Sequence, residues 1–349
     1  PVDWCKTNLE HSEARALVCN AGNANAFTGS KGEQITKESA TSLSTTLSIP
    51  KEHIYLASTG VIGETFEPYE LTSCFGQMSK ELGQSGPAAW LEAAQAITTT
   101  DTFPKGATAK VHGTDAVVVG IAKGSGMIAP DMATMLSFIF TDANIPSNIL
   151  QTLLSRNVQN TFNAITVDSD ASTSDTLLLF ATGAAKSIAP TSADDPVLKD
   201  FELALQSVLL NLAKQIVCDG EGAQKLIQVN ITGANSKKSA RKIGLAIANS
   251  PLVKTAIAGG DANWGRVVMA VGKSGEKANP DKISVCFGKT TIAEKGAVVE
   301  GYNEAPVTEH LQGREIHITV DVGLGNGKST VWTCDLTHGY IEINADYRS

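Results

Sequence analysis

Lys123 stands in a run of small residues, Gly120-Ile-Ala-Lys-Gly-Ser-Gly, and soon after it Met132-Ala-Thr-Met-Leu opens an apolar stretch of strand type. Glycine leaves the backbone free to bend and lets another group approach closely. In that setting the hydroxyl of Thr134 is placed to attack the carbonyl of Ala133 and break its own chain. The product is a new N-terminal threonine, a nucleophile whose base is its own α-amine. Such an amine has a pKa of about 8, so a useful fraction is neutral close to neutrality. The glycine run also suggests a phosphate loop, but Lys123 precedes a glycine where such a loop needs Ser or Thr. Gly327-Lys-Ser occurs later with Val322 in place of the first required glycine, which excludes an NTPase reading.

Other candidates are less decisive by themselves. Thr59-Gly60 follows a short strand, His53 to Ala57, and reads locally as a strand-end turn. Glu221, in Asp219-Gly-Glu-Gly, follows a long amphipathic helix, where Gly220 alone would suit a C-cap. Lys123 could hold a substrate carboxylate, or lower the amine pKa of Thr134 by like-charge repulsion. Asp261, Asn263, Trp264 and Arg266 form a dense polar motif, open between a structural knot and a substrate role.

Many segments together resemble one family. They are Asn20-Ala-Gly-Asn-Ala-Asn-Ala, Ala57-Ser-Thr-Gly-Val-Ile-Gly, Thr99-Thr-Asp-Thr, the Lys123 and Thr134 segments and Thr161-Phe-Asn-Ala-Ile-Thr-Val-Asp. Later come Ser172-Thr-Ser-Asp-Thr, Asp219-Gly-Glu-Gly-Ala, Asn249-Ser-Pro-Leu-Val-Lys-Thr, Gly260-Asp-Ala-Asn-Trp-Gly-Arg and the tail Ile343-Asn-Ala-Asp-Tyr-Arg-Ser. In type and order they are similar to the motifs of glutamate N-acetyltransferases, also called ornithine acetyltransferases. Asp131 departs from the Asn common there, and Ala171 from Thr. Family members carry several tens of residues ahead of this chain's start, so Pro1 reads as an internal beginning.

The resemblance implies a layered helix–sheet–sheet–helix fold, α/β (α+β), shared with autoproteolytic aminopeptidases of the DmpA type. It implies cleavage between Ala133 and Thr134 into an alpha chain, 1–133, and a beta chain, 134–349. Thr134 would be the nucleophile, with Thr59 and Gly60 as the oxyanion hole. Thr99, Thr100, Lys123, Glu221, Asn344 and Ser349 would contact substrate. The implied reaction moves an acetyl group from N2-acetyl-L-ornithine to L-glutamate in arginine biosynthesis. No metal or organic cofactor is expected, although some members also use acetyl-CoA. The expected assembly is a heterotetramer of two alpha and two beta chains. Two rivals stand beside this reading: a hydrolase of the same fold, and an uncleaved, inactive binding protein.

Composition agrees with an enzyme of this kind. The chain has 349 residues, 42% of them apolar and 18% charged, with a net charge of −8. That length suits about two domains at roughly 150 residues each. An acidic balance argues against a nucleic-acid surface, which carries a basic stripe. No uninterrupted apolar run approaches the roughly 20 residues of a membrane span. Six cysteines contain no Cys-x-x-Cys pair and six histidines are scattered, so free thiols in a reducing, cytoplasmic setting are expected, with no metal site.

The elements that must position these residues are partly readable. Positions 36 to 47, 64 to 82 and 88 to 97 predict helices, the last opened by Pro87. Thr108 to Val111 and Ala116 to Ile121 alternate as strands around a turn at His112-Gly-Thr-Asp. Leu136 to Thr141 and Leu177 to Ala181 read as strands, with a helix from Pro146 to about 160 between them. Phe201, Leu205, Val208, Leu209, Leu212 and Ile216 form one face of a long helix. Segments 224 to 232, 282 to 287, 315 to 322 and 330 to 335 read as strands, and Gly323-Leu-Gly-Asn-Gly is expected to join the last two as a hairpin. Ser187 to Pro196 is the one candidate linker.

Overall fold

The six apolar residues expected on one helical face, Phe201 through Ile216, are all buried on a single helix, Lys199–Cys218. Burying a side chain of this size is worth about 1.5–3 kcal/mol, so this face is a principal anchor of the fold. By length and composition the stretch Pro196–Cys218 would also suit a membrane span, but half of it is buried inside the protein as a core helix. The structure is a computed structural model that describes residues 1–83, 86–129, 135–172, 174–185 and 190–346.

In chain order the first elements are α1 (Val2–Asn8), β1 (Ala16–Asn23), α2 (Gly29–Leu47), β2 (Ile54–Val61), α3 (Pro68–Thr72), α4 (Phe75–Glu81) and α5 (Pro87–Ala96). Then come β3 (Lys105–Lys110), β4 (Val117–Lys123), β5 (Leu136–Thr141), α6 (Ser147–Val158), β6 (Thr176–Ala181) and α7 (Lys199–Cys218). The rest comprises β7 (Leu226–Ala234), α8 (Lys237–Ala248), α9 (Pro251–Ala258), α10 (Trp264–Lys273), β8 (Ser284–Phe287), β9 (Thr290–Glu294) and β10 (Ala297–Val298). It closes with α11 (Ala305–Leu311), β11 (Glu315–Asp321), β12 (Gly327–Cys334) and α12 (His338–Asp346).

Alternation along the strands builds the layers. Val18, Ile54 and Leu56 turn one face of the parallel pair β1–β2 toward α2 and α4, through Ala40, Leu43 and Phe75. The opposite face, with Leu17, Cys19 and Ala57, meets Ile121, Leu136 and Phe138 of the sheet β3-β4-β5-β6. The far face of that sheet, through Val118, Ala122 and Ile139, packs on α6 and α7. The sequence of layers is therefore helix, sheet, sheet, helix, as the motifs implied. A six-stranded sheet, β10-β9-β8-β11-β7-β12, carries α8, α9, α10 and α11 on one face. Trp332 and Leu226 join it to the α7 core.

Three expectations change. The helix expected over 64–82 is two short helices, α3 and α4, with the break at Ser73-Cys74. The glycine run after β11 is not a hairpin: β7 lies between β11 and β12, parallel to the first and antiparallel to the second. Strands are spaced by about 4.8 Å, so stepping over one needs about 10 Å, which residues 322–326 can span. On the way, Leu324 and Gly325 donate their N–H groups to Gly233 O at 2.8 and 2.7 Å. The candidate linker lies partly outside the described residues, and Asp195 within it caps the turn Pro196–Leu198 that leads into α7.

Candidate active site

β1 and β2 run in register, Ala21 beside Thr59 and Gly22 beside Gly60. Gly60 has φ +131°, and a Cβ there would stand 2.2 Å from the Gly22 carbonyl carbon, so only glycine fits. Ser58 locks the neighbouring strand end by donating to Asn20 Oδ1 at 2.6 Å. Thr59 is thereby delivered, 1% exposed, to the end of the layer.

Lys123 meets it from β4. It is 2% exposed, rather than lying in a solvated loop. Its ammonium donates to Thr99 Oγ1 at 2.7 Å and Thr59 Oγ1 at 3.2 Å. Burial pulls its pKa below the usual lysine range, opposed by the Asp101 carboxylate. Thr100, beside Thr99, is half-buried with no side-chain hydrogen bond among the described residues, so the structure brings Thr99 into this cluster.

A buried ionic network frames the pair. Asp101 accepts from Thr99 N–H at 3.1 Å, Gly124 N–H at 2.7 Å and Lys105 Nζ at 2.6 Å. Lys105 also donates to Asp219 Oδ2 at 2.5 Å. Asp219 accepts further from the Thr102 N–H, 3.0 Å from Oδ2, and from the Thr102 hydroxyl. Burial would push the Asp101 carboxyl up, but the ammoniums of Lys105 and Lys123 outweigh it and hold the group below the usual carboxylate range.

At the end of α7, Ser125 Oγ donates to Asp219 O at 2.5 Å and Glu221 N–H to Ser125 O at 3.1 Å. The glycine-rich loop is thus sewn to the turn that carries Glu221. A Cβ at Gly126 would lie 2.4 Å from a Glu221 carboxylate oxygen, so the absent side chain is the room that Glu221 occupies. α12 closes the other side: Asn344 Nδ2 donates to Glu221 Oε2 at 2.8 Å.

The nucleophile expected from the sequence, Thr134, lies outside the described residues, as do Ala133 and Ser349. Both flanks of the segment 130–134 are held. Ahead of it, Asp168 accepts from the N–H groups of Met127 and Ile128 at 2.7 and 2.9 Å. Behind it, Asp175 Oδ1 accepts from Met135 N–H at 2.8 Å. Burial pushes the Asp175 carboxyl up to about 8, opposed by that bond and by Lys123. Lys254, 4% exposed, donates to Val167 O at 2.7 Å, Thr333 Oγ1 at 2.9 Å and Cys334 O at 2.6 Å. It ties the Asp168 segment to β12.

The sequence reading assigned no role to Asp101, Lys105, Asp168, Asp175 or Lys254. Most stand inside matched motifs, and acidic residues among small ones were the available signal. The motif at 261–266 makes local bonds instead. Asn263 caps α10 by accepting from Arg266 N–H at 3.2 Å and donates to Asp261 at 3.1 Å, while Arg266 donates to Leu252 O at 2.8 Å. These bonds favour the structural reading of that motif.

Layered sheets between helices, with a buried lysine joining a strand threonine to a loop threonine, define a protein of the helix–sheet–sheet–helix class with a polar site at the sheet edge. The whole chain, residues 1–349, matches the ArgJ family. The chain belongs to the ArgJ family and is a transferase of that type. It is 55% identical, over 100% of its length and 82% of the relative's, to the arginine biosynthesis bifunctional protein ArgJ of Gluconobacter oxydans strain 621H. The protein of that name from Brucella suis biovar 1 is 54% identical over 100% of this chain and 85% of its own. The crystal structure of the Bacillus halodurans protein aligns with TM-score 0.58 and 42% identity, covering 60% of this chain and 98% of that one.

Proposed function

We propose that the protein transfers an acetyl group from N2-acetyl-L-ornithine to L-glutamate in arginine biosynthesis. The whole-chain match to relatives named for arginine biosynthesis carries this reading, and the site geometry supports it. The chain cuts itself between Ala133 and Thr134, and the alpha and beta chains remain associated, two of each. The freed amine of Thr134 takes the hydroxyl proton as Oγ attacks the acetyl carbon. Thr59 and Gly60 face the developing oxyanion. The amide C–N bond breaks, its nitrogen takes the proton, and ornithine leaves. The glutamate amine then attacks the threonyl ester; N-acetylglutamate departs and Oγ regains a proton. Glu221 suits the side-chain ammonium of N-acetylornithine, Asn344 is held beside it, and Lys123 and Thr99 line the same site. No metal or organic cofactor takes part in this scheme. The setting is the cytoplasm.

Intact mass is the first test: two species that split between Ala133 and Thr134 are expected, with acetylornithine-dependent acetylation of glutamate. Release of acetate at full rate without glutamate would instead mark a hydrolase. Gly126→Ala tests the Glu221 pocket. The added methyl meets only the end of a flexible side chain, so stability should change little. Displacing that carboxylate weakens a charge-assisted bond worth about 1.5–3 kcal/mol, so KM for N-acetylornithine should rise about tenfold. An unchanged KM would remove Glu221 from substrate binding.

A further inference from the structure

An ammonium has three hydrogens and no lone pair, so it can only donate. A threonine hydroxyl that faces one must accept from it and turn its own hydrogen elsewhere. Lys123 Nζ faces two such hydroxyls, Thr99 at 2.7 Å and Thr59 at 3.2 Å. Neither can point its hydrogen back at the charge. Thr59 and Lys123 are 1% and 2% exposed, and Thr99 is half-buried at the open side of the pair. Among the described residues, neither hydroxyl has a side-chain or backbone acceptor for its own hydrogen.

We infer that Lys123 is a positioning residue: it fixes the hydroxyls of Thr59 and Thr99 as hydrogen-bond donors into the site and polarises them, instead of serving only as a clamp for a substrate carboxylate. This rests on Thr59 being an oxyanion donor. A free threonine hydroxyl divides its time among rotamers in which it accepts or donates. A donor that must be turned at the moment of reaction stabilises the transition state less than one already aimed. Lys123 removes that reorganisation, and its charge makes each hydroxyl a better donor. The device needs the ammonium form, because a neutral amine carries a lone pair and can accept. Asp101 favours that form; it is held on Gly124, the residue after Lys123, and on Thr99 itself. The same carboxylate thus fixes the charge and one of the hydroxyl carriers.

The test uses the matured enzyme, with cleavage checked by mass, and two acetyl donors. One is N-acetylornithine. The other is p-nitrophenyl acetate, which has neither carboxylate nor amine. Lys123→Met, Thr59→Val and the double variant are compared. The expected result is a loss of about tenfold or more in p-nitrophenol release for each single variant, from one misdirected donor. The double variant should lose clearly less than the product of the two single losses, because the Thr59 donor is lost in both and only the share carried by Thr99 is added. Lys123→Arg, which keeps a donor-only cation, should stay within about tenfold of wild type on the same ester, and this arm remains if the methionine variant does not mature. Normal ester turnover by Lys123→Met with a raised KM for acetylornithine alone would overturn the inference in favour of a carboxylate clamp. Losses that multiply in the double variant, or a Lys123→Arg enzyme as slow as Lys123→Met, would also overturn it. If Thr59→Val alone changes neither rate, the oxyanion reading of Thr59 falls first and takes the inference with it.

Discussion

Thr134→Ala should yield one uncut chain of 349 residues and no acetyl transfer. Alanine has no hydroxyl to attack the Ala133 carbonyl, so no new N-terminus forms and no acetyl ester can be made. Removing the nucleophile of an enzyme that works through a covalent intermediate costs on the order of 10⁴-fold to 10⁶-fold. Thr134→Ser keeps both hydroxyl and eventual amine, and should be cut and retain measurable activity. The flanks of the segment are held by Asp168 and Asp175 through backbone N–H groups, which neither substitution alters. Both variants should therefore unfold cooperatively near the wild-type midpoint. Mass spectrometry and the transfer assay read the outcome. A cut Thr134→Ala protein would end the assignment of Thr134.

Lys105→Met should give the largest loss of stability. Lys105 is 0% exposed between Asp101 at 2.6 Å and Asp219 at 2.5 Å, and those carboxylates are themselves buried. Removing one partner of a buried ion pair leaves an uncompensated charge and costs about 3–5 kcal/mol. The pH dependence has a definite sign. In the native protein the Asp101 carboxyl is held below its ordinary value. It contributes stability above the unfolded pKa, and that contribution is lost as pH falls through the folded one. Without Lys105 the burial that pushes Asp101 up loses its main opponent. Protonation then relieves the variant as pH falls toward the ordinary carboxylate value of about 4. Urea unfolding should show a wide gap between variant and wild type at neutral pH and a narrower one in acid. A gap independent of pH would mean that packing, not charge, dominates the site.

Much of the positioning was readable from single segments. The α7 face, β5 and the turn between β3 and β4 follow from apolar spacing and turn chemistry alone. β1 escaped because Asn20-Ala-Gly-Asn lacks the β-branched and aromatic residues that mark a strand; its strand character comes from pairing with β2, 38 residues away at Ser58. The glycine run after β11 looked like a hairpin because a local pattern reports a short connection, not which strand occupies the gap it crosses. Lys123 read as a loop residue because nothing local shows that strand β4 continues through it into a closed layer.

What the sequence determined by itself was the family, the layered class and the types of residue at the site. Motif order and apolar periodicity are properties of neighbours along the chain, and they survive without coordinates. Only the tertiary structure decided that Lys123 joins Thr59 to Thr99 across 64 and 24 residues, and that Lys105 and Asp219, 114 residues apart, form a buried pair. Hydrogen bonds and ion pairs in a low-dielectric interior depend on ångström distances between segments remote in sequence. The packing of β2, β4 and α7 sets those distances, and no local spacing encodes them.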